Sequence, residues 1–140
     1  MSTNSTIAFE NEDGTVFQIS CHWDGYIEHN GRLLYEHWQD PVKILQLMQL
    51  GDLSSLGKEI GRQQNFSNRN NDWCLAYGRD RNESDVGARN FENFDQYTMY
   101  GDFAEYNYVF RNGRWLVAEE NLKFQSLSSA LNKIAVESLK

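Results

Sequence analysis

Cys21, His22, Trp23 and Asp24 stand side by side, Gly25 releases the backbone, and Tyr26, Glu28, His29 and Asn30 follow directly. Two imidazoles and a carboxylate this close together are the raw material of general acid/base chemistry or of zinc-assisted hydrolysis. If the strand that delivers His22 continues, His22 and Asp24 project to the same side and His29 can swing back over them. A small hydrolase or nuclease would then use His22, Asp24 and His29, with or without a metal. The spacing matches no metal-binding motif, so neither a metal nor a cofactor is expected. The structural alternative is a turn in which Asp24 caps the backbone and hydrogen-bonds a histidine while Trp23 packs.

A second stretch with chemistry in it is GRDRNES, residues 78–84, where Arg79 and Arg81 flank Asp80 and Arg89 lies nearby. Guanidinium forks match phosphate and carboxylate oxygens, and a loop at a strand end is a natural place to hold an anion. The alternative is that the arginines pair with Asp80, Glu83 and Asp85 as a solvated charge cluster. A third is the aromatic stripe Tyr106, Tyr108, Phe110 and Trp115, which could stack a ring but equally suits a core beneath helices. Nothing places a base beside Ser54 or Ser55, and there is no glycine-rich phosphate loop, CxxC pair or nucleophile elbow.

In TIAFENEDGTVFQISCHW a loop of Glu12-Asp13-Gly14 pairs Phe9 with Phe17, Ile7 with Ile19 and Ser5 with Cys21. The stretch GRLLYEHW reads as helical. Asp40-Pro41 opens a second helix, VKILQLMQL, with Val42, Ile44, Leu45, Leu47 and Met48 as its apolar face, and Gly51 closes it. DLSSLGKEIG reads as irregular and RQQNFSNRNND as a mobile surface loop. Trp73 to Tyr77 reads as a strand, Gly78 to Asp85 as a charged loop and NFENFDQYTMY as a short helix. An Asn112-Gly113 turn pairs Phe110 with Trp115 and Tyr108 with Val117. A terminal helix from Ser126 to Leu139 turns Leu127, Leu131, Ile134 and Val136 inward. The expectation for residues 1–140 is a single α+β domain: a mostly antiparallel sheet of about five strands, two hairpins, and helices packed on one face.

Size and charge narrow the function classes. A chain of 140 residues can bury its own core, and with 14% aromatics much of that core should be Trp, Tyr and Phe. The N-terminus lacks the basic and apolar regions of a secretory signal, and no run reaches membrane-spanning length. Cys21 and Cys74 read as reduced, buried thiols. A net charge of −7 argues against general nucleic-acid binding but not against one small anion held by a local basic cluster.

The chain resembles a family of small uncharacterised proteins of tailed bacteriophages. The resemblance rests on Ser5-Thr6-Ile7-Ala8, Asp13-Gly14-Thr15-Val16, CHWDGYIEHNG, GDLSSLGKEIG, YGRDRNES and EYNYVFRNGRW, which together cover most of the chain. Family members are longer between GKEIG and YGRDR, so a function carried by that segment would be altered here. The resemblance implies a phage-encoded accessory protein of the host bacterial cytoplasm.

On this reading the family blocks converge in a polar pocket. Arg79 and Arg81 would hold an anionic group, Trp23 and Tyr26 would contact a ring, and His22, Asp24, His29 and Asn30 would supply hydrogen bonds. The expected function is an anti-defence binding protein or inhibitor. It would sequester a small phosphorylated or nucleotide ligand, or dock on a host protein; a homo-oligomer is compatible with either. The hydrolase above is one alternative. An acidic DNA mimic is another, although the carboxylates are scattered along the chain.

Overall fold

The computed structural model describes residues 2–139. Two hairpins set the frame. In the first, β1 (Ser5–Glu10) and β2 (Val16–Cys21) pair antiparallel with Phe9 opposite Phe17, Ile7 opposite Ile19 and Ser5 opposite Cys21. The three-residue loop closes through hydrogen bonds between Asn11 and Thr15, and Asp13 accepts from the Thr15 N–H. In the second, β6 (Tyr106–Arg111) and β7 (Arg114–Ala118) pair Phe110 with Trp115 and Tyr108 with Val117. Asn112 and Gly113 carry φ of 54° and 78°, the left-handed pair that matches the twist of a two-residue hairpin.

The hairpins join through β1 and β6, which run parallel. β1 is thus central, and Ser5 to Phe9 are all buried, as expected for a strand covered on both faces. Outside β2 lie three short strands. β5 (Arg89–Phe91) takes the first half of β2, β3 (Leu53–Ser55) meets Cys21 at its end, and β4 (Leu75–Ala76) pairs with β3. β8 (Gln125–Ser126) extends the other edge beside β7. Among the described residues the sheet has eight strands, not about five, and is mixed: most of its pairings are antiparallel, and only β1 with β6 and β2 with β3 run parallel. The additional strands are two or three residues long, too short to show a period of two.

One face carries α1 (Arg32–His37), α2 (Pro41–Leu50) and α5 (Leu127–Glu137), with a π-helical turn (Ile27–Gly31) leading into α1. Leu34, Trp38, Ile44, Leu47, Leu127 and Leu131 pack there on Ile7, Ile19, Tyr108 and Val117. Trp38 is fully buried and donates to Gly57 O at 3.0 Å; Trp115 donates to Trp38 O at 2.8 Å. Burial and hydrogen bonding together place truncation of such a ring in the range of about 3–5 kcal/mol. The aromatic stripe is therefore core. Val42 and Val136 are exposed instead of inward, and Ala130 takes the inward place on α5.

The helices do not all share one face. α4 (Phe94–Tyr100) crosses the opposite side and seats Tyr97 on Ala8, Val16 and Val109, ringed by Phe91, Phe94, Phe103 and Phe124. Two further stretches differ from expectation. Ser54-Ser55 lies in a strand, and YGRDR forms a short helix, α3 (Tyr77–Arg81), instead of a strand end and charged loop.

Candidate functional site

The corner after β2 is held by backbone contacts before any side chain acts. His22 N and Trp23 N donate to Leu53 O and Ser54 O, each at 3.0 Å, so the backbone stays bonded to β3 for two residues beyond the end of β2. Asp24 then turns it at φ 57°, a left-handed conformation that Asp and Asn tolerate better than most residues. Gly25 N donates to Thr3 O, and a Cβ at 25 would stand 2.6 Å from Ser5 Cβ. Glycine is required by that approach, and the buried Tyr108 hydroxyl clasps Gly25 O at 2.7 Å.

Asn30, fully buried, braces this turn from behind. Its amide nitrogen lies 3.2 Å from Trp23 O, 3.4 Å from Ser5 Oγ and 3.5 Å from Cys21 Sγ. Its Oδ1 lies 3.0 Å from His29 Nδ1. Because the amide nitrogen is committed as donor, Oδ1 accepts, and His29 Nδ1 carries the hydrogen. In the neutral ring Nε2 is then left as an acceptor. Tyr26 leans on His29 with ring centroids 5.9 Å apart.

Strand alternation sends the corner's rings into different places. Trp23, Asp24 and His29 line a hollow of about 440 Å³ together with Ser55, Leu56, Arg69 and Asn71. That volume lies within the range of small-molecule sites. His22 lines a separate hollow with Ser20, Asp52, Glu83 and Asp102. The positive φ at Asp24 ends the strand, so His22 does not share a side with Asp24. The His22 and Trp23 rings meet edge to face at 4.7 Å. Among the described residues no group of three His, Cys, Asp or Glu is placed to hold a metal ion. His22, Asp24 and His29 are not gathered as a hydrolase would need them. Burial pushes the Cys21 thiol up to about 12 and Cys74 up to about 11, which removes both as nucleophiles at neutral pH.

Neither Arg79 nor Arg81 lines the hollow of Trp23. Arg79 donates to both oxygens of Asp80, to Ile60 O at 2.8 Å and to Cys74 O at 2.7 Å. Asp80, buried beneath it, also accepts from the backbone N–H groups of Gln64 and Ala76. Burial by itself would raise the Asp80 carboxyl, but the bonds from Arg79, Ala76 and Gln64 outweigh it and hold the group below the usual carboxylate range. Arg81 lies over the rings of Phe66 and Tyr77 and pairs with Glu83. These contacts fasten residues 60–74 in place, so the segment read as a mobile loop is tied down. Inside it, Asn65 and Asn70 side chains accept from backbone N–H groups, and Gln64 Oε1 accepts from Asn70 N.

Comparison with family models, with curated proteins and with solved structures returns no match to this chain. The site must be read from its own chemistry.

The arginine that does reach the hollow is Arg69. Among the described residues its guanidinium takes part in no ion pair or hydrogen bond, and its buried Nε has no partner. Ser55, 9% exposed, has a buried hydroxyl with no partner either. The Asp24 carboxylate likewise accepts no hydrogen bond there; only its backbone O is engaged, by Asn30 N. An indole 44% exposed, an unmatched cation, an unmatched carboxylate and an unclaimed hydroxyl thus surround one space. Buried polar groups are nearly always satisfied, so the two exceptions on this space, the Ser55 hydroxyl and Arg69 Nε, single it out as the candidate site. Arg69 was missed because it sits in a stretch without hydrophobic period. The sequence signal was weak: the nearest acid to Arg69 is Asp72, three positions on, and the structure pairs it with Lys58. No helix among the described residues is long and apolar enough to cross a membrane.

Proposed function

We propose that this is a phage-encoded accessory protein of the host bacterial cytoplasm. It counters or redirects a host function by sequestering a small phosphorylated ligand, a nucleotide above all. Its phage origin rests on the sequence blocks that carry the resemblance. The binding role rests on one observation: Arg69, which makes no ion pair among the described residues, lines the same hollow as the exposed Trp23. A guanidinium fork takes phosphate oxygens in pairs, an indole stacks a base, and the Ser55 hydroxyl and His29 ring add polar contacts.

The rival readings have less behind them. A hydrolase using His22, Asp24 and His29 would have to act across two hollows. DNA mimicry needs a face of free carboxylates, whereas Glu10, Asp52, Glu59, Asp80, Glu83 and Asp102 are paired with Arg or Lys. Docking on a host protein would need an exposed apolar or acidic patch; the exposed apolar side chains Tyr35, Val42, Met99, Tyr100 and Val136 are spread over α1, α2, α4 and α5.

The test is a thermal-unfolding screen against nucleotides, sugar phosphates and inorganic phosphate, with wild type and Arg69→Gln. A ligand present at 100 times its dissociation constant adds about 2.7 kcal/mol and raises Tm accordingly. The shift should vanish in Arg69→Gln. If no phosphorylated compound shifts the wild type, the binding role is wrong. Expression in bacteria carrying a nucleotide-signalled defence should raise phage yield, and an unchanged yield would remove the anti-defence role.

A further inference from the structure

We infer that the ring this hollow selects is guanine, so that the ligand is a guanine nucleotide. The inference rests on the phosphorylated-ligand reading above and adds to it the identity of the base. It starts from Asp24. A hollow built only for a phosphate would gain from a second cation, yet Asp24 lines it, half-buried, and its carboxylate accepts no hydrogen bond from the described residues. That carboxylate repels the ligand's phosphate wherever the two approach. It is favourable only if another part of the same ligand presents N–H donors to it.

An ionised carboxylate offers acceptors alone, on two oxygens side by side. The edge of guanine presents N1–H and the 2-amino group as two adjacent parallel donors, which match that pair. Adenine presents its 6-amino group beside the N1 acceptor, and cytosine its 4-amino group beside the N3 acceptor, so each sets a lone pair against one carboxylate oxygen. Uracil has a single N–H between two carbonyls. With the ring on Trp23, its donor edge at Asp24 and its phosphate at Arg69, both unmatched charges of the hollow are met by one molecule. Each is met by the opposite sign.

The experiment is calorimetric titration of the full chain with GMP, IMP and AMP, in wild type and Asp24→Asn. GMP should bind about tenfold more tightly than AMP, the scale of one well-formed bidentate base contact. IMP, which keeps N1–H but lacks the 2-amino group, should fall between them. Asn accepts the left-handed backbone at position 24 as readily as Asp, so Asp24→Asn should keep the wild-type Tm. It should also lose the preference for GMP over AMP while still binding both. Equal affinity of the wild type for all three nucleotides would overturn the guanine assignment and leave the phosphorylated-ligand reading standing. The same follows if sugar phosphates bind and nucleotides do not. If none of the phosphorylated compounds binds, both readings fall. The IMP comparison uses only the wild type and decides the matter even if the variant does not fold.

Discussion

The corner at residues 21–30 and the arm at residues 77–81 are the two most chemically loaded stretches of this chain, and they use their charges in opposite ways. In the arm every charged group is consumed. Arg79 spans Asp80 and two carbonyls, Asp80 also receives two backbone N–H groups, and Arg81 lies over two rings while pairing with Glu83. In and opposite the corner, Asp24 and Arg69 stay unmatched although they line one hollow. The arm also explains the corner. By fastening residues 60–74 it delivers Arg69 and Asn71 to the hollow, so the arginines read as ligand contacts act at one remove, through the segment they hold. Residue type signals where chemistry is possible; the tally of hydrogen bonds decides where it is available.

The sharpest way to break this contrast is Asp80→Asn. It leaves Arg79 facing a neutral amide in a partly buried site, and a stability loss of about 3 kcal/mol is expected in urea unfolding. A loss comparable to that of an ordinary surface substitution would show that the arm is not a clamp. The same residue sets a pH limit. Its folded carboxyl titrates below the unfolded value, so its stabilising contribution is complete above the unfolded pKa of about 4 and is lost as pH falls through the folded pKa. The acid limb of a stability–pH curve should therefore flatten in Asp80→Asn.

Asn30→Ala comes next. Removing a fully buried amide that braces Trp23 O and His29 should cost about 2 kcal/mol. It should also weaken nucleotide binding, since the corner loses its brace. Ser55→Ala tests the other side of the contrast. Its hydroxyl is buried without a partner, so the substitution should stabilise the free protein by about 1 kcal/mol while reducing ligand affinity. A marked destabilisation would mean the hydroxyl is already satisfied. The smallest effect on stability belongs to Arg69→Gln, within about 0.5 kcal/mol, because the guanidinium makes no internal bond to lose. That near-neutrality, together with loss of the ligand-induced thermal shift, is the signature of a group held for a partner.

Legibility in the sequence followed the range of the interaction. Both hairpins could be read with their registers, because a turn of two or three residues and a period of two decide which side chains face each other. The second helix was equally open, with Asp40 accepting from Val42 N at its start. The parallel pairing of β1 with β6 was not, since no turn links strands so far apart. The strand read at Trp73 to Tyr77 is present as β4, but β3, β5 and β8 are held by their neighbours alone, and α4 covers the second face because Tyr97 finds Ala8, Val16 and Val109 there. At the site, the corner was legible as a turn rich in polar groups and rings. The wrong arginines were assigned to it, because Asp80 was read as one more solvated acid when its side chain is wholly buried.

What residue order determined by itself is local: the two hairpins with their aromatic faces, the capped helix after Asp40, and the crowded corner closed by Asp24-Gly25. These depend on backbone preference and on neighbours a few positions away. Which guanidinium stayed free, which imidazole joined the indole and which carboxylate went unanswered were decided only by the tertiary structure. The reason is that a charged group is neutralised by whatever lies within hydrogen-bond reach in space, and for Arg79, Asp80 and Arg69 the nearest partners, or their absence, arise from chain segments brought together by folding.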